Sequence, residues 1–341
     1  MKISIETTKP RNWVGLADQV LAILRCLSCQ GTLRQEETGL TCMVCQRQYP
    51  VVKGVVRFVD AQHYAGSFGF QWLTFRDTQL DNEQSRRSES DFRRRTGFTP
   101  EELAGKLVLD VGCGMGRFAE VATRWGAYVV GIDLSLAEEA ATENLRDREA
   151  VFFQVDVFHL PFAPQSFDYI YSIRVLHHTP NCEQAFKVLP GLLKPGGRIA
   201  IWLYSGYNKW YRMSDLYRKV TRRMSPKTVY RLAHITVPMY GVHQFLRSIP
   251  LLGKPTSGVM KYLLPMSFNP DPQWRVLDTL DWYSPWYQSK HSYEEVFRWF
   301  EDCGLQDLRV ILQPISVQGQ RPLQGVGSEN SEKSEVDRCA G

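Results

Sequence analysis

The stretch KLVLDVGCGMGRF, residues 106–118, decides the fold. Its first half is an apolar run typical of a parallel strand that is buried on both faces. Its second half places Gly112, Gly114 and Gly116 at every second position, just before a helical pattern. Glycines in such a turn let the backbone approach a ligand closely at the N-terminus of a helix.

Strand and helix patterns alternate outward from this stretch. The further strand patterns are YVVGIDLS (128–135), VFFQVDV (151–157), FDYIYSI (167–173) and GRIAIWLY (197–204). Strands that alternate with helices are the signature of a doubly wound, mostly parallel sheet. The sequence therefore predicts an α/β fold for the central part of the chain.

Three aspartates stand where these strands end. Asp110 precedes the first glycine, Asp133 ends the second strand, and Asp156 ends the third. The carboxyl ends of parallel strands meet at one edge of the sheet, where ligands bind. A carboxylate there can accept both hydroxyls of a ribose, although each aspartate could instead cap a turn. A glycine-rich turn alone is weak evidence, because nicotinamide enzymes carry G-x-G-x-x-G at the same place.

With SFDYIYSIRVLHHTP (166–180) and LKPGGRIAIW (193–202), this ordered set resembles the class I S-adenosylmethionine (SAM)-dependent methyltransferases. The resemblance is strongest to the methyltransferase type 11 family, which includes the ubiquinone and menaquinone biosynthesis C-methyltransferases. It implies a Rossmann-like sheet of seven strands and SAM as cofactor. By this resemblance Asp110, Gly112, Gly114 and Gly116 surround the methionine part of SAM, Asp133 the ribose and Asp156 the adenine.

Two adjacent histidines follow the predicted fourth strand. Methyl transfer is an in-line displacement in which the protein positions the nucleophile and in some reactions removes its proton. Because the reference pKa of histidine lies near neutrality, His178 is the first candidate for a catalytic base or substrate contact, and His177 the second. The alternative is that one or both cap a helix or pack against the cofactor. The sequence lacks the N-P-P-Y type motif of amino-methylating enzymes.

Four of the eight cysteines form a C-x2-C-x12-C-x2-C pattern, at Cys26, Cys29, Cys42 and Cys45. This spacing predicts structural zinc, since four thiolates leave no open coordination position. Reduced thiols without metal are the alternative. Over about residues 20–60 the chain resembles the zinc ribbon of the small activator protein of tRNA and protein methyltransferases. The segment RQYPVVKGVVRFV (47–59) is predicted to be a turn followed by one alternating strand.

A long insertion, residues 206–290, separates the fifth strand pattern from the late helix SYEEVFRWFEDCG (292–304). Residues 207–261 contain eleven Lys or Arg and one acid, with apolar residues at helical spacing. We expect basic amphipathic helices, which could be a solvated cap, contact an anionic membrane or a lipid-linked substrate, or hold nucleic acid. Tyr283, Tyr287 and His291 are candidates for the substrate-binding mouth, and ordinary packing is the alternative.

Five segments are predicted. They are a zinc-ribbon module (1–62), a helical linker or lid (63–104), a methyltransferase core (105–205 and 291–320), a basic helical insertion that caps the substrate (206–290) and a disordered tail (321–341). A hydrophobic content of 43% and a net charge of +5 are typical of a globular protein that is only mildly basic. No stretch has the length of a membrane span or the centre of a signal peptide. A cytoplasmic location is expected, with peripheral membrane contact as the variant.

The function predicted from these patterns is transfer of methyl from SAM to an oxygen or carbon of a small-molecule, lipid-linked or saccharide acceptor. One alternative is an RNA base methyltransferase, because ribosomal-RNA guanine methyltransferases also place a zinc ribbon before this core. Their ribbon has another ligand pattern and they lack the long basic insertion, so RNA is the less expected partner. Another is a non-catalytic SAM-binding or scaffold protein. The sequence indicates no oligomeric state.

Overall fold

The computed structural model describes residues 16–59, 68–69, 71, 74–76, 78–82, 85–207, 211–250 and 253–323, without the side chains of residues 211, 212 and 254. The predicted disorder of the tail beyond residue 323 lies outside the described residues. The division into five segments stays a prediction.

The described strands form one continuous sheet of eleven strands. They are β1 (Leu33–Glu36), β2 (Gly39–Cys42), β3 (Gln48–Val52), β4 (Val55–Arg57), β5 (Leu107–Val111), β6 (Tyr128–Asp133), β7 (Ala150–Gln154), β8 (Phe167–Ile173), β9 (Leu193–Trp202), β10 (Gln306–Val310) and β11 (Ser316–Gln320). Their order is β1-β2-β3-β4-β7-β6-β5-β8-β9-β11-β10. Pairing is parallel from β4 to β9 and antiparallel elsewhere. The seven strands β5 to β11 confirm the predicted Rossmann-like, mostly parallel sheet.

Helices cover both faces of the central sheet. Leu107, Leu109 and Val111 of β5 belong to one buried apolar cluster and Val108 belongs to another. Because both faces of the strand are covered, its sequence is a continuous apolar run without alternation. The described helices are α1 (Asp18–Ile23), α2 (Arg87–Thr96), α3 (Pro100–Leu103), α4 (Arg117–Arg124), α5 (Ala137–Asn144), α6 (Cys182–Lys187), α7 (Tyr211–Thr221), α8 (Pro226–Ala233), α9 (Thr236–Ser248), α10 (Gly253–Leu263), α11 (Pro272–Tyr283) and α12 (Tyr293–Asp302).

The cysteine-containing segment extends the central sheet. It folds as two hairpins, β1–β2 and β3–β4, and β4 pairs in parallel with β7. One alternating strand was predicted over residues 47–59, and this prediction was wrong. The chain reverses at Lys53 and Gly54, whose φ angles of 52° and 83° suit a two-residue hairpin turn.

An arginine joins β4 to helix α5, which follows β6. Arg57 forms ion pairs with Glu139 at 2.6 Å and with Glu138 at 3.2 Å. Burial raises the pKa of Glu138 to about 9, with nearby Asp133 acting in the same direction and Arg57 opposing. These ion pairs connect the N-terminal strands to α5, the helix that follows β6.

The insertion is a group of helices around α11. Helices α7, α8 and α9 pack against α11, and α10 packs against α9. Asp271 caps α11 by accepting from the backbone amide of Trp274 at 2.8 Å, and Pro272 occupies the first turn. Among the helices described, none is both long and apolar enough to cross a bilayer.

Replacing Arg57 by Met is expected to lower the free energy of unfolding by about 3 kcal/mol, because Glu139 keeps a buried charge without its nearest cation. Lys53 contacts the same carboxylate at 2.7 Å, but its side chain is 71% exposed. Lys53→Met is therefore the matched control, with an expected loss of about 0.5 kcal/mol. Urea denaturation measures both variants, and equal losses would contradict the proposed role of Arg57.

Candidate active site

A cleft opens at the carboxyl edge of the central strands. It encloses about 1020 Å³ between protein atoms, part of which is open solvent. Its lining comes from the turn after β5, the end of β6, the residues after β8 and helix α11. The polar and glycine residues of these walls include Gly112, Gly114, Asp133, Arg174, His178, Asp278 and Asp281. The cleft therefore combines core strands with the insertion.

The turn after β5 brings bare backbone to the cleft. Gly112, Gly114 and Gly116 have φ angles of 80°, 53° and 87°, in the region that favours glycine. A Cβ atom on Gly112 would collide with the side chain of Val175, and one on Gly116 would lie 2.5 Å from a methyl carbon of Leu145. The cradle formed by this turn requires glycine at positions 112 and 116, because a side chain there would clash with neighbouring protein atoms.

Of the three aspartates predicted from the sequence, Asp133 is the one that lines the cleft. It accepts hydrogen bonds from the amide of Gly114 at 3.0 Å and from the amide and hydroxyl of Ser135 at 2.8 and 2.7 Å. These contacts fix its orientation against the glycine turn. A carboxylate has about four acceptor positions, so capacity for a ribose hydroxyl remains, and the site fits SAM.

The other two aspartates do not line the cleft. Asp110 is buried, and burial raises its pKa to about 8, with the neighbouring Tyr171 hydroxyl acting in the opposite direction. Asp156 accepts from the amide of Phe158 at 3.1 Å and so closes the turn after β7. Its neighbours Val155 and Val157 line the cleft instead. The predicted roles of both aspartates stay predictions.

His178 lies in the cleft wall with a fixed tautomer. Its Nδ1 donates to the carbonyl oxygen of Tyr287 at 3.0 Å, since a carbonyl can only accept. Nε2 then carries the lone pair, and it has no partner among the described residues. Burial lowers the pKa of His178 below its ordinary value, against Asp281 and the Tyr287 carbonyl, which favour the protonated form. The imidazole is therefore a neutral acceptor near pH 7.

His177 points elsewhere. Its ring stacks on Tyr204 at 4.0 Å between centroids, it is fully buried, and it is not among the cleft-lining residues of the described chain. Burial holds its pKa well below the ordinary value. The structure thus gives His177 a packing position, and a catalytic role for it stays a prediction.

Sequence reasoning missed a charged group that lines the cleft after β8. Arg174 directly follows β8 with a φ of 68°, a conformation that is strained for a residue with a side chain. Its guanidinium lies 3.4 Å from Asp278, and Asp281 accepts from the Tyr204 hydroxyl at 2.9 Å. Burial alone would lower the pKa of Arg174, but Asp278 and other nearby groups raise it. The only sequence signal was an arginine at the end of a predicted strand.

The three predicted mouth residues are not cleft-lining side chains in the described part of the chain. Tyr283 donates from its hydroxyl to the carbonyl of Pro265 at 2.5 Å, in the packing between α11 and the loop before it. Tyr287 contributes the backbone carbonyl that orients His178. His291 is buried beside Ser289, with 2.7 Å between Nε2 and Oγ. Substrate binding by their side chains stays a prediction.

The four paired cysteines meet at the ends of the two N-terminal hairpins. Their sulfur atoms all lie within 4.8 Å of one another, with Cys26 3.6 Å from Cys45 and Cys29 3.4 Å from Cys42. A tetrahedral zinc site with 2.3 Å bonds would separate the sulfurs by about 3.8 Å. The amides of Val44 and Cys45 both donate to the sulfur of Cys42 at 3.4 Å, which favours a thiolate. The donor set fits structural zinc.

Comparisons with known proteins agree with this geometry. Residues 109–201 match a family model described as a methyltransferase domain. The sterol 24-C-methyltransferase of Schizosaccharomyces pombe is 31% identical over 149 residues, 42% of this chain and 38% of that protein. The ubiquinone biosynthesis O-methyltransferase of Klebsiella pneumoniae is 29% identical over 187 residues, 52% of this chain and 72% of that protein. The resemblance to SAM-dependent methyltransferases is confirmed.

A solved structure of an S-adenosylmethionine dependent methyltransferase from Mesorhizobium loti is also similar, with 29% identity and a TM-score of 0.30. The similarity covers 34% of this chain and 52% of that chain. The chain spans less than half the length of the first curated relatives that it matches.

Replacing Cys42 by Ser is expected to release zinc and to unfold the N-terminal hairpins first, because a small ribbon has too little core to fold without metal. SAM binding should weaken but persist, since none of the four cysteines is among the residues that line the cleft. Metal content, thermal unfolding and calorimetric SAM titration measure these effects. Cys303→Ser, outside the cysteine group, is the control and should keep zinc. Full retention of zinc by Cys42→Ser would contradict the site.

Proposed function

We propose that this chain, whose residues 109–201 form a methyltransferase domain, transfers a methyl group from SAM to an oxygen or carbon of a small-molecule acceptor. One observation carries the proposal. The same cleft holds a glycine cradle with a ribose-accepting carboxylate and, in its wall, a neutral imidazole with an unpartnered Nε2.

SAM, when bound, supplies a methyl group that its positively charged sulfur makes reactive. In this proposal the backbone of Gly112 and Gly114 contacts the methionine part and Asp133 accepts from the ribose. Both contacts use groups that already line the cleft. They place the cofactor along one wall, so the acceptor occupies the space toward His178 and α11.

His178 is proposed as the general base. The Tyr287 carbonyl holds the proton on Nδ1, so Nε2 can take the proton of an acceptor hydroxyl as the oxygen attacks. Asp281 favours the protonated ring, and it therefore stabilises the imidazolium that this transfer forms. After product release the proton returns to solvent. A carbon acceptor would lose its proton to the same nitrogen.

The acceptor side of the cleft is mixed in character. Leu277 and Phe68 are apolar, whereas Arg174, Asp278 and Asp281 offer one donor group and two acceptor groups. Such a wall suits an acceptor with an apolar body and hydroxyl or keto groups. Sterol and ubiquinone-pathway acceptors, named for two relatives, belong to this chemical class.

The zinc ribbon gives little support to an RNA substrate. Between Cys29 and Cys42 its only basic residue is Arg34, which pairs with Glu36 at 2.8 Å. Phosphate recognition needs clustered, unpaired cations.

A labelled-methyl assay on cell extract, separated into lipid, small-molecule and RNA pools, tests the proposal. Label in the lipid or small-molecule pool is expected, and label in RNA alone would overturn it.

His178→Ala is expected to lower methyl transfer by about 10²- to 10⁴-fold, the usual contribution of a general base, with SAM affinity little changed. His159→Ala is the matched control because its side chain is 73% exposed, and it should keep full activity. For the wild type, the rate should fall as the pH drops through the lowered pKa of His178 and stay level above pH 7. Unchanged turnover of His178→Ala would contradict the assignment.

A further inference from the structure

The helices of the insertion turn apolar side chains to solvent. Of the large apolar side chains that the structure describes as exposed, more than half lie between residues 216 and 264. On α7, the exposed Leu216 and Val220 stand at i and i+4, which places them on one helix face, and Met224 is exposed just beyond the end of the helix. Scattered exposed apolar residues are ordinary, but a stripe at helical spacing is not.

Helix α9 exposes apolar side chains beside its polar ones. Its exposed residues include Val237, Val242 and Phe245, the last with 68% of its surface exposed. Its buried positions include Thr236 and His243, which are polar. A helix that only covered a protein core would bury its apolar side and expose its polar side. Helix α9 therefore exposes apolar side chains on its solvent side, beyond what covering a core requires.

The apolar stripes of neighbouring helices adjoin. The hydroxyl of Tyr217 on α7 donates to the carbonyl of Leu263 at the end of α10, with a distance of 2.8 Å. Helix α10 exposes Val259, Tyr262 and Leu263, and it packs against α9. The three helices thus present a shared surface, defined here as the apolar face of α7, α9 and α10.

Unpaired cations surround this apolar face. Six basic residues in and around α7 to α10 are exposed, and none has a carboxylate partner in the described ranges. They are Lys219, Arg223, Lys227, Arg231, Arg247 and Lys261. The one acid of residues 207–261, Asp215, pairs with Lys290. The surface combines apolar area with a strong positive charge.

We propose that the apolar face of α7, α9 and α10 binds the surface of an anionic lipid bilayer, with its Lys and Arg residues against the lipid headgroups. An apolar face rimmed by cations is how helices lie in a membrane interface. A second copy of this chain fits less well, because a two-fold contact would oppose two positive surfaces. RNA would leave the Val, Leu and Met side chains without partners.

The apolar face of α7, α9 and α10 includes two helices, α7 and α9, that pack against a wall of the cleft. Helix α11 packs between α7 to α9 and the cleft, to which it contributes Leu277, Asp278 and Asp281. Thr221 at the end of α7 donates to the carbonyl of Tyr283 at 2.8 Å. A bilayer under α7, α9 and α10 would therefore lie next to the acceptor side of the cleft.

Vesicle sedimentation of the full chain tests the proposal, with phosphatidylcholine vesicles that contain or lack phosphatidylglycerol. Binding is expected only, or far more strongly, with phosphatidylglycerol, and it should weaken as salt rises. Phe245→Glu and Val259→Glu should each weaken binding at least about tenfold, because a carboxylate would enter the interface. Lys219→Ala and Arg223→Ala should each weaken it about fivefold.

Leu312→Glu is the matched control, because Leu312 is 81% exposed but lies outside the insertion, and it should bind like the wild type. Circular dichroism checks that each variant is folded. A wild type that ignores anionic vesicles, or an equal loss with Leu312→Glu, would overturn the proposal. So would a wild-type dimer that Phe245→Glu separates into monomers. No acceptor or turnover is involved, so the result is independent of the methyl-transfer assay.

Discussion

Parallel pairing of β5 with β6 and β8 is the constraint on which the site depends. Because these strands run in one direction, their carboxyl ends meet at one edge, and the glycine turn, Asp133 and Arg174 come together there. The turn is possible only with left-handed backbone at Gly112 and Gly116. The sheet supplies the positions, and the loops that follow its strands supply the chemistry.

Two additions contact the central sheet and its cleft. The N-terminal hairpins join the sheet through β4, and Arg57 reaches α5, which follows the strand that carries Asp133. The insertion supplies α11, whose Asp278 and Asp281 line the cleft. The N-terminal hairpins thus contact the helix that follows Asp133, whereas the insertion lines the cleft itself.

The central sheet was predictable because a buried parallel strand leaves a continuous apolar run, and Asp133 was predictable because it ends one. Arg174 was not, since its importance comes from a contact with Asp278, about a hundred residues later in the chain. Asp278 and Asp281 lie in an insertion whose packing no local pattern specifies. The β3–β4 hairpin was missed because a lysine occupies one left-handed position of its turn. Asp156 followed the predicted strand, but its carboxylate closes a turn instead of facing the cleft.

A crystal structure of the chain in complex with S-adenosylhomocysteine tests directly whether this cleft binds SAM. We expect the methionine part over Gly112 and Gly114, a ribose hydroxyl donating to Asp133, and the sulfur facing the space bounded by His178 and α11. Electron density for the ligand outside this cleft, or no binding at saturating ligand concentration, would contradict it.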